Sequence, residues 1–182
     1  MAARTLPTLP NFTTGQELTS SELNQLANYQ EFWANPPMFR MYQTVAQPLA
    51  TGSTTPTQVA YDTVQYDTDS GRSGTTPWSY VIPFAGRWYI AGSINWPGNA
   101  TGYRYTAIYQ NGVGATGGKT NSAVNAAGNS TVTEASATIP CNAGDVIAIF
   151  GVQNSGSALT TIVNDMTQAG FFEGRLVSLA NP

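Results

Sequence analysis

Histidine is absent from this 182-residue chain, and lysine and cysteine occur once each, as Lys119 and Cys141. Without imidazole the chain lacks the usual general base near neutral pH, the commonest metal ligand, and the partner that activates a serine or cysteine nucleophile. A single cysteine excludes an intrachain disulfide and any multi-cysteine zinc site, and Cys141 reads as a small, half-buried strand residue. Charge is scarce as well: seven basic and ten acidic residues give a net charge of -3, with no basic cluster. The counterion-release term that drives nucleic-acid binding is therefore missing, as is the polybasic patch that holds a chain on an anionic membrane. Neither nucleic acid nor membrane is expected as a partner. No apolar run approaches the roughly 20 residues of a membrane span. Residues 1–10 lack the apolar core of a signal peptide, so synthesis in a cytoplasm without export by that route is expected.

Carboxylates are what remains for chemistry. A glycosidase needs only two, and Asp62, Asp67, Asp69, Glu134, Asp145, Asp165 and Glu173 are available. Several of them sit in turn-like stretches where aspartate caps local backbone, which argues against a catalytic role. Asp67-Thr-Asp69-Ser-Gly71 resembles the start of a calcium loop but lacks the later ligands and the closing glutamate, and reads as a turn. No catalytic residue, metal site or cofactor is expected.

What is present falls into two parts. Residues 1–18 hold Pro7, Pro10 and Gly15, which resist helix, and read as an extended arm whose apolar points are Leu6, Leu9 and Phe12. A helix then begins: Thr19 caps it, Glu22 three residues on completes a capping box, and Leu18 is placed to staple to Leu23. Leu23, Leu26, Gln30 and Trp33 share one stripe, with Tyr29 and Phe32 beside it, before Asn35-Pro36-Pro37 stops the helix. A stripe of this kind must pack on its own domain, on copies of itself or on a partner. The prolines before and after detach arm and helix from the rest of the chain and favour the intermolecular options.

From Phe39 the helical period disappears. Short β-rich segments near 39–46, 58–66, 78–83, 87–96, 102–110, 131–139, 145–152 and 171–178 alternate with Gly, Pro, Asn and Ser, the pattern of a sandwich or barrel. The stretch 112–128 is too rich in Gly, Ala and Asn to read as strand. Within 87–96, Trp88, Ile90, Ile94 and Trp96 share a face with Gly92. Within 102–110, Tyr103, Tyr105, Ala107 and Tyr109 form a row, and within 145–152 both faces are apolar, so that Phe150 needs a cover.

Four motifs occur in a telling order: Pro83-Phe-Ala-Gly-Arg-Trp-Tyr89, Tyr109-Gln-Asn-Gly112, Ala143-Gly-Asp-Val146 and Phe172-Glu-Gly-Arg-Leu176. Over roughly residues 60 to 179 this resembles the tumour-necrosis-factor and complement-globular-head jelly-roll family. The resemblance implies an all-β fold, an antiparallel jelly-roll β-sandwich, here with an N-terminal extended arm and one short α-helix. It also implies a homotrimer packed through aromatic sheet faces, for which Tyr103, Tyr105, Tyr109 and Phe150 are the candidate interface. Gly15-Gln-Glu-Leu-Thr-Ser-Ser-Glu-Leu-Asn-Gln-Leu26 is similar to the opening of many tailed-bacteriophage virion proteins. Tyr61-Asp-Thr-Val-Gln-Tyr-Asp-Thr-Asp-Ser-Gly71 is similar to the head of the jelly-roll domain in phage minor structural proteins.

Together these resemblances imply a bacteriophage virion structural protein, a capsid decoration or head-fibre (minor capsid) protein at the particle surface, assembled in the bacterial host cytoplasm. Residues 1–38 would anchor it to the major capsid protein through Leu9, Phe12, Leu18, Leu23, Leu26 and Trp33, and residues 39–182 would form the trimerising sandwich. The alternative is a tail- or baseplate-associated protein whose sandwich binds a host surface glycan, with Trp78, Trp96, Tyr103 and Asn99 as its tools, although Trp78 and Trp96 read more readily as core or trimer interface.

Overall fold

The computed structural model of the chain describes residues 4–52, 56–73, 78–122, 129–163 and 169–179. Helix α1 (Ser20–Ala34) begins and ends where local chemistry requires. Thr19 Oγ1 accepts from the Glu22 amide, and the Glu22 carboxylate accepts from the Thr19 amide at 2.8 Å, so the capping box is complete. At the other end the Asn35 amide still bonds the Glu31 carbonyl, and Pro36-Pro37 cannot continue the ladder.

Thirteen strands come after it among the described residues: β1 (Met38–Tyr42), β2 (Pro48–Leu49), β3 (Thr57–Gln58), β4 (Thr63–Asp67), β5 (Arg72–Ser73), β6 (Ser79–Val81), β7 (Gly86–Trp96), β8 (Arg104–Gln110), β9 (Val113–Ser122), β10 (Thr131–Cys141), β11 (Val146–Gln153), β12 (Leu159–Thr160) and β13 (Phe171–Leu179). One sheet runs β10-β7-β13-β1-β4 and the other β5-β6-β11-β8-β9, with β3 also pairing β11 and with β2 and β12 forming a small ribbon. Every ladder between strands is antiparallel. After β6 the chain crosses to the first sheet for β7, back for β8 and β9, across for β10, back for β11 and across again for β13. This is the jelly-roll sandwich that the motif order implies.

The core lies between the two sheets. Trp88, Ile90, Ile94 and Trp96 of β7, predicted to share a face, are all buried there with Phe39, Tyr61, Tyr80, Ile149 and Phe172. Phe39 stacks on Tyr80 with ring centroids 3.7 Å apart and meets Phe172 edge-on at 4.8 Å. Several of the polar atoms carried inward are paired. Trp96 Nε1 donates to Thr133 Oγ1 at 2.8 Å, Thr106 Oγ1 donates to the Thr133 carbonyl at 2.9 Å, and Tyr61 OH donates to the Ser93 carbonyl at 3.0 Å. The Thr106–Thr133 contact joins β8 to β10 and so ties one sheet to the other.

The motif turns have the expected geometry. Asn111 and Gly112 both have positive φ, 52° and 78°, as a type I′ hairpin between β8 and β9 demands. Gly174, on the core side of β13, has no room for a side chain: a Cβ there would sit 2.6 Å from the Phe39 ring.

One expectation is corrected. Residues 113–122, read as loop, form strand β9, because β8 offers them a ladder and a register shift between Ala107 and Tyr109 absorbs the irregularity. Residues 123–128 of the same predicted loop lie outside the described residues.

Candidate interaction surfaces

The arm and helix form a hairpin that leaves the sandwich and returns to it. Near the sandwich, Arg4 holds the arm in three ways. It donates to the Asn35 carbonyl, pairs with Asp69 at 3.2 Å, and sets its guanidinium 5.7 Å from the centre of the Phe32 ring. The Asp69 side chain is only 2% exposed, so Arg4 supplies the counter-charge that a buried carboxylate needs. Farther out, residues 13–16 turn the chain, with the Gln16 amide on the Thr13 carbonyl at 3.1 Å and Gly15 at a φ of 81°. The helix then runs back for about 22 Å at 1.5 Å per residue.

The predicted stripe does not bury as a unit. Phe32, beside it, is the helix residue buried among the sandwich side chains, meeting Phe84 edge-on at 5.6 Å, and Trp33 packs half-buried on the same cluster. The expected separation of helix and sandwich therefore does not hold at this end. Of the other predicted anchoring residues, Leu9 (59%), Phe12 (45%), Leu18 (59%) and Leu23 (51%) stand exposed, while Leu26 is half-buried. Isolated exposed apolar side chains are ordinary, but these four, joined by the exposed Leu6 on the same hairpin, are a surface that water wets poorly.

A second surface lies on the outer face of the β11-β8-β9 sheet. The register sets Val152 opposite Tyr105, Phe150 opposite Ala107 and Ala148 opposite Tyr109. Tyr103 and Tyr105 stack at 6.2 Å, and Tyr109 packs on Phe150 at 4.1 Å, so the four residues predicted as a contact face form two adjacent ring pairs. The tyrosines gather with Val152 into an apolar cluster distinct from the main core. Lys119 Nζ lies 3.9 Å from the Tyr105 ring centre, and burial, with the neighbouring Tyr109 and Tyr103, raises the Tyr105 hydroxyl above its ordinary value.

The residues considered for other chemistry have structural employment. Trp96 is fully buried, and Trp78 packs on the core under the Arg72 guanidinium at 4.0 Å, so both rings are already occupied by protein rather than open to a sugar. Asn99 Oδ1 accepts from the Thr101 amide at 2.8 Å. Asp67 accepts from the amides of Asp69, Gly71 and Arg72, which is the turn expected of that stretch. Burial pushes the Asp145 carboxyl up, but bonds from Asn111, the Asn142 amide and Gln110 outweigh it and hold the group below the usual carboxylate range. Asp145 thereby braces the β8–β9 turn against the corner before β11. Among the described residues no three His, Cys, Asp or Glu side chains gather as a metal site would require; Asp165 lies outside those residues.

Sequence reasoning missed Arg4, the burial of Phe32 and a third surface, the outer face of the five-stranded sheet. Period-two alternation in Phe171-Phe-Glu-Gly-Arg175, which places Phe171, Glu173 and Arg175 on one side, is the signal that would have found the last of these.

No protein-family model matches the chain, and no curated protein does. Solved structures do. The globular domain of zebrafish complement 1qA protein aligns with a TM-score of 0.54 at 14% identity, covering 79% of this chain and 99% of that one. The Eiger tumour necrosis factor from S. frugiperda aligns with a TM-score of 0.53 at 10% identity, covering 80% and 96%. At such identities the likeness is one of fold, and the fold is the jelly-roll globular domain of the complement-1q and tumour-necrosis-factor kind.

Proposed function

We propose that this chain is a bacteriophage virion structural protein, a homotrimeric capsid-decoration or head-fibre protein. Its arm–helix hairpin grips the shell and its jelly roll projects outward. The observation that carries this reading is the hairpin, whose exposed Leu9, Phe12, Leu18 and Leu23 lie on or beside the segment that resembles phage virion openings. Fully burying one such side chain stabilises a contact by about 1.5–3 kcal/mol, so the four together supply an anchoring energy without any charge. The tyrosine face serves the trimer: two ring pairs on a sheet with few charges match the aromatic, charge-poor composition of interface cores.

The test is co-sedimentation of purified protein with particles that lack it. Deleting residues 1–38 would also strip Phe32 from the sandwich core, so the informative variant is Leu9→Ser/Phe12→Ser/Leu18→Ser/Leu23→Ser, which alters only exposed positions. Loss of particle binding with an unchanged melting temperature is expected. Undiminished co-sedimentation of that variant would refute the anchoring role.

A further inference from the structure

The hairpin encloses a cleft as well as offering an outer surface. Between arm residues 4–8 and the C-terminal half of α1 lies a space of about 640 Å³, well inside the range, roughly 300–1,000 Å³, of ligand sites. One wall is helical, where Gln25, Asn28 and Glu31 follow at intervals of three and so are surface neighbours. The other wall is the extended arm. Neither has engaged its polar groups. The side chains of Gln25, Asn28 and Glu31 have no hydrogen-bond or charge partner among the described residues. The main chain of residues 5–8 likewise makes no backbone hydrogen bond among those residues, so the amides of Thr5, Leu6 and Thr8 are open to pairing.

The balance of charge in the cleft is negative. Arg4 lines it and answers the Asn35 carbonyl, but its charge is matched by the buried Asp69. Glu31 is left uncompensated. It stands in the last turn of α1, where the aligned peptide dipoles add roughly half a negative charge and where no basic side chain of the helix offsets it. A guanidinium or ammonium group is what such a place stabilises. A metal ion is a poorer fit, since among the described residues no three acidic side chains gather to hold one. The unpaired main chain of the arm selects the carrier of the cation, because an extended peptide binds by adding its own backbone to such an edge. Leu6, 47% exposed, gives the aliphatic stem of an arginine or lysine an apolar surface to lie on.

We propose that the cleft between arm and helix receives an extended peptide segment bearing an arginine or lysine. The cation pairs with Glu31, and the peptide main chain lies between the arm backbone and the Gln25 and Asn28 amides. None of Leu9, Phe12, Leu18 and Leu23 lines the cleft, so the inference stands apart from the anchoring reading. The test is selection of a random linear heptapeptide library on the immobilised full chain, followed by calorimetric titration with the enriched peptides. These should share a basic residue, and replacing it with glutamine should weaken binding about tenfold or more, the loss that a charge-assisted hydrogen bond carries. Glu31→Gln should weaken the unaltered peptides by a similar factor at an unchanged melting temperature, and the two losses should not add. The variant Leu9→Ser/Phe12→Ser/Leu18→Ser/Leu23→Ser should bind the peptides as the parent does. No enrichment, enrichment of peptides without a basic residue, or affinity that survives Glu31→Gln would each overturn the site. So would loss of peptide binding in the four-serine variant, which would put the peptides on the apolar surface instead.

Discussion

At Gly174 the main chain of β13 runs so close to Phe39 and Ile90 that even a methyl group meets ring and side-chain carbons at 2.6 and 2.7 Å. The neighbours are packed core, so Gly174→Ala should cost about 1–3 kcal/mol, read as a lower urea midpoint at unchanged slope. Cys141 is set by its surroundings in another way. Burial first and the Asp145 charge second push its thiol up to about 12. Such a thiol should react with iodoacetamide at pH 8 far more slowly in the native chain than in the unfolded one, and equal rates would contradict its burial. Because the fold favours the protonated thiol, its contribution to stability is complete below the unfolded value, about 8.5, and is lost as pH rises toward the folded one. Tyr61 acts in the same direction, its hydroxyl raised by burial. The melting temperature should therefore fall above about pH 9, and less steeply in Cys141→Ala.

Among the elements, the hairpin shows how far local rules reach. Its capping box forms on the chemistry of near neighbours, and Thr19→Ala should cost about 1 kcal/mol. Its attachment is different in kind, because Arg4 and Asp69 meet only when the sandwich exists. Arg4→Ala leaves the Asp69 carboxylate buried without its counter-charge, which should cost about 1–3 kcal/mol. The arm should then become cleavable by limited proteolysis while the sandwich survives as a protected fragment. If the arm of Arg4→Ala resisted protease as well as the parent does, the latch would not be what holds it. Strand β9 makes the complementary point: a Gly-rich segment with little strand preference of its own is held extended by the ladder from β8.

At the level of the whole molecule, the two outer sheet faces differ in chemistry and suit different work. The tyrosine face carries Tyr103, Tyr105, Tyr109 and Phe150 in paired rings, whereas the other face carries Arg40, Glu173 and Arg175 between tyrosines. Placing a charge in the aromatic face by Tyr109→Asp/Phe150→Asp should convert the proposed trimer to single chains in sedimentation equilibrium while the far-ultraviolet spectrum stays that of the parent. A variant that stays trimeric would move the subunit contact elsewhere.

The helix, the turns and the alternation of most strands are legible in the amino-acid order alone, because they rest on contacts between near neighbours. Thr19 and Glu22 sit three residues apart, Asn111-Gly112 is its own turn, and Trp88 to Trp96 declare their face by spacing. Spacing is silent on Trp78, where the segment is too short to declare a face, whereas it already sets Trp96 with Trp88, Ile90 and Ile94. It took the folded chain to seat Trp78 beneath Arg72, to seat the helix by Phe32 rather than by the Leu23–Leu26 stripe, to close Arg4 on Asp69, and to gather Tyr66, Tyr89 and Arg175 in one depression. Each of those outcomes depends on segments brought together from distant parts of the chain, and the free energy that selects them comes from burial and charge pairing across that distance.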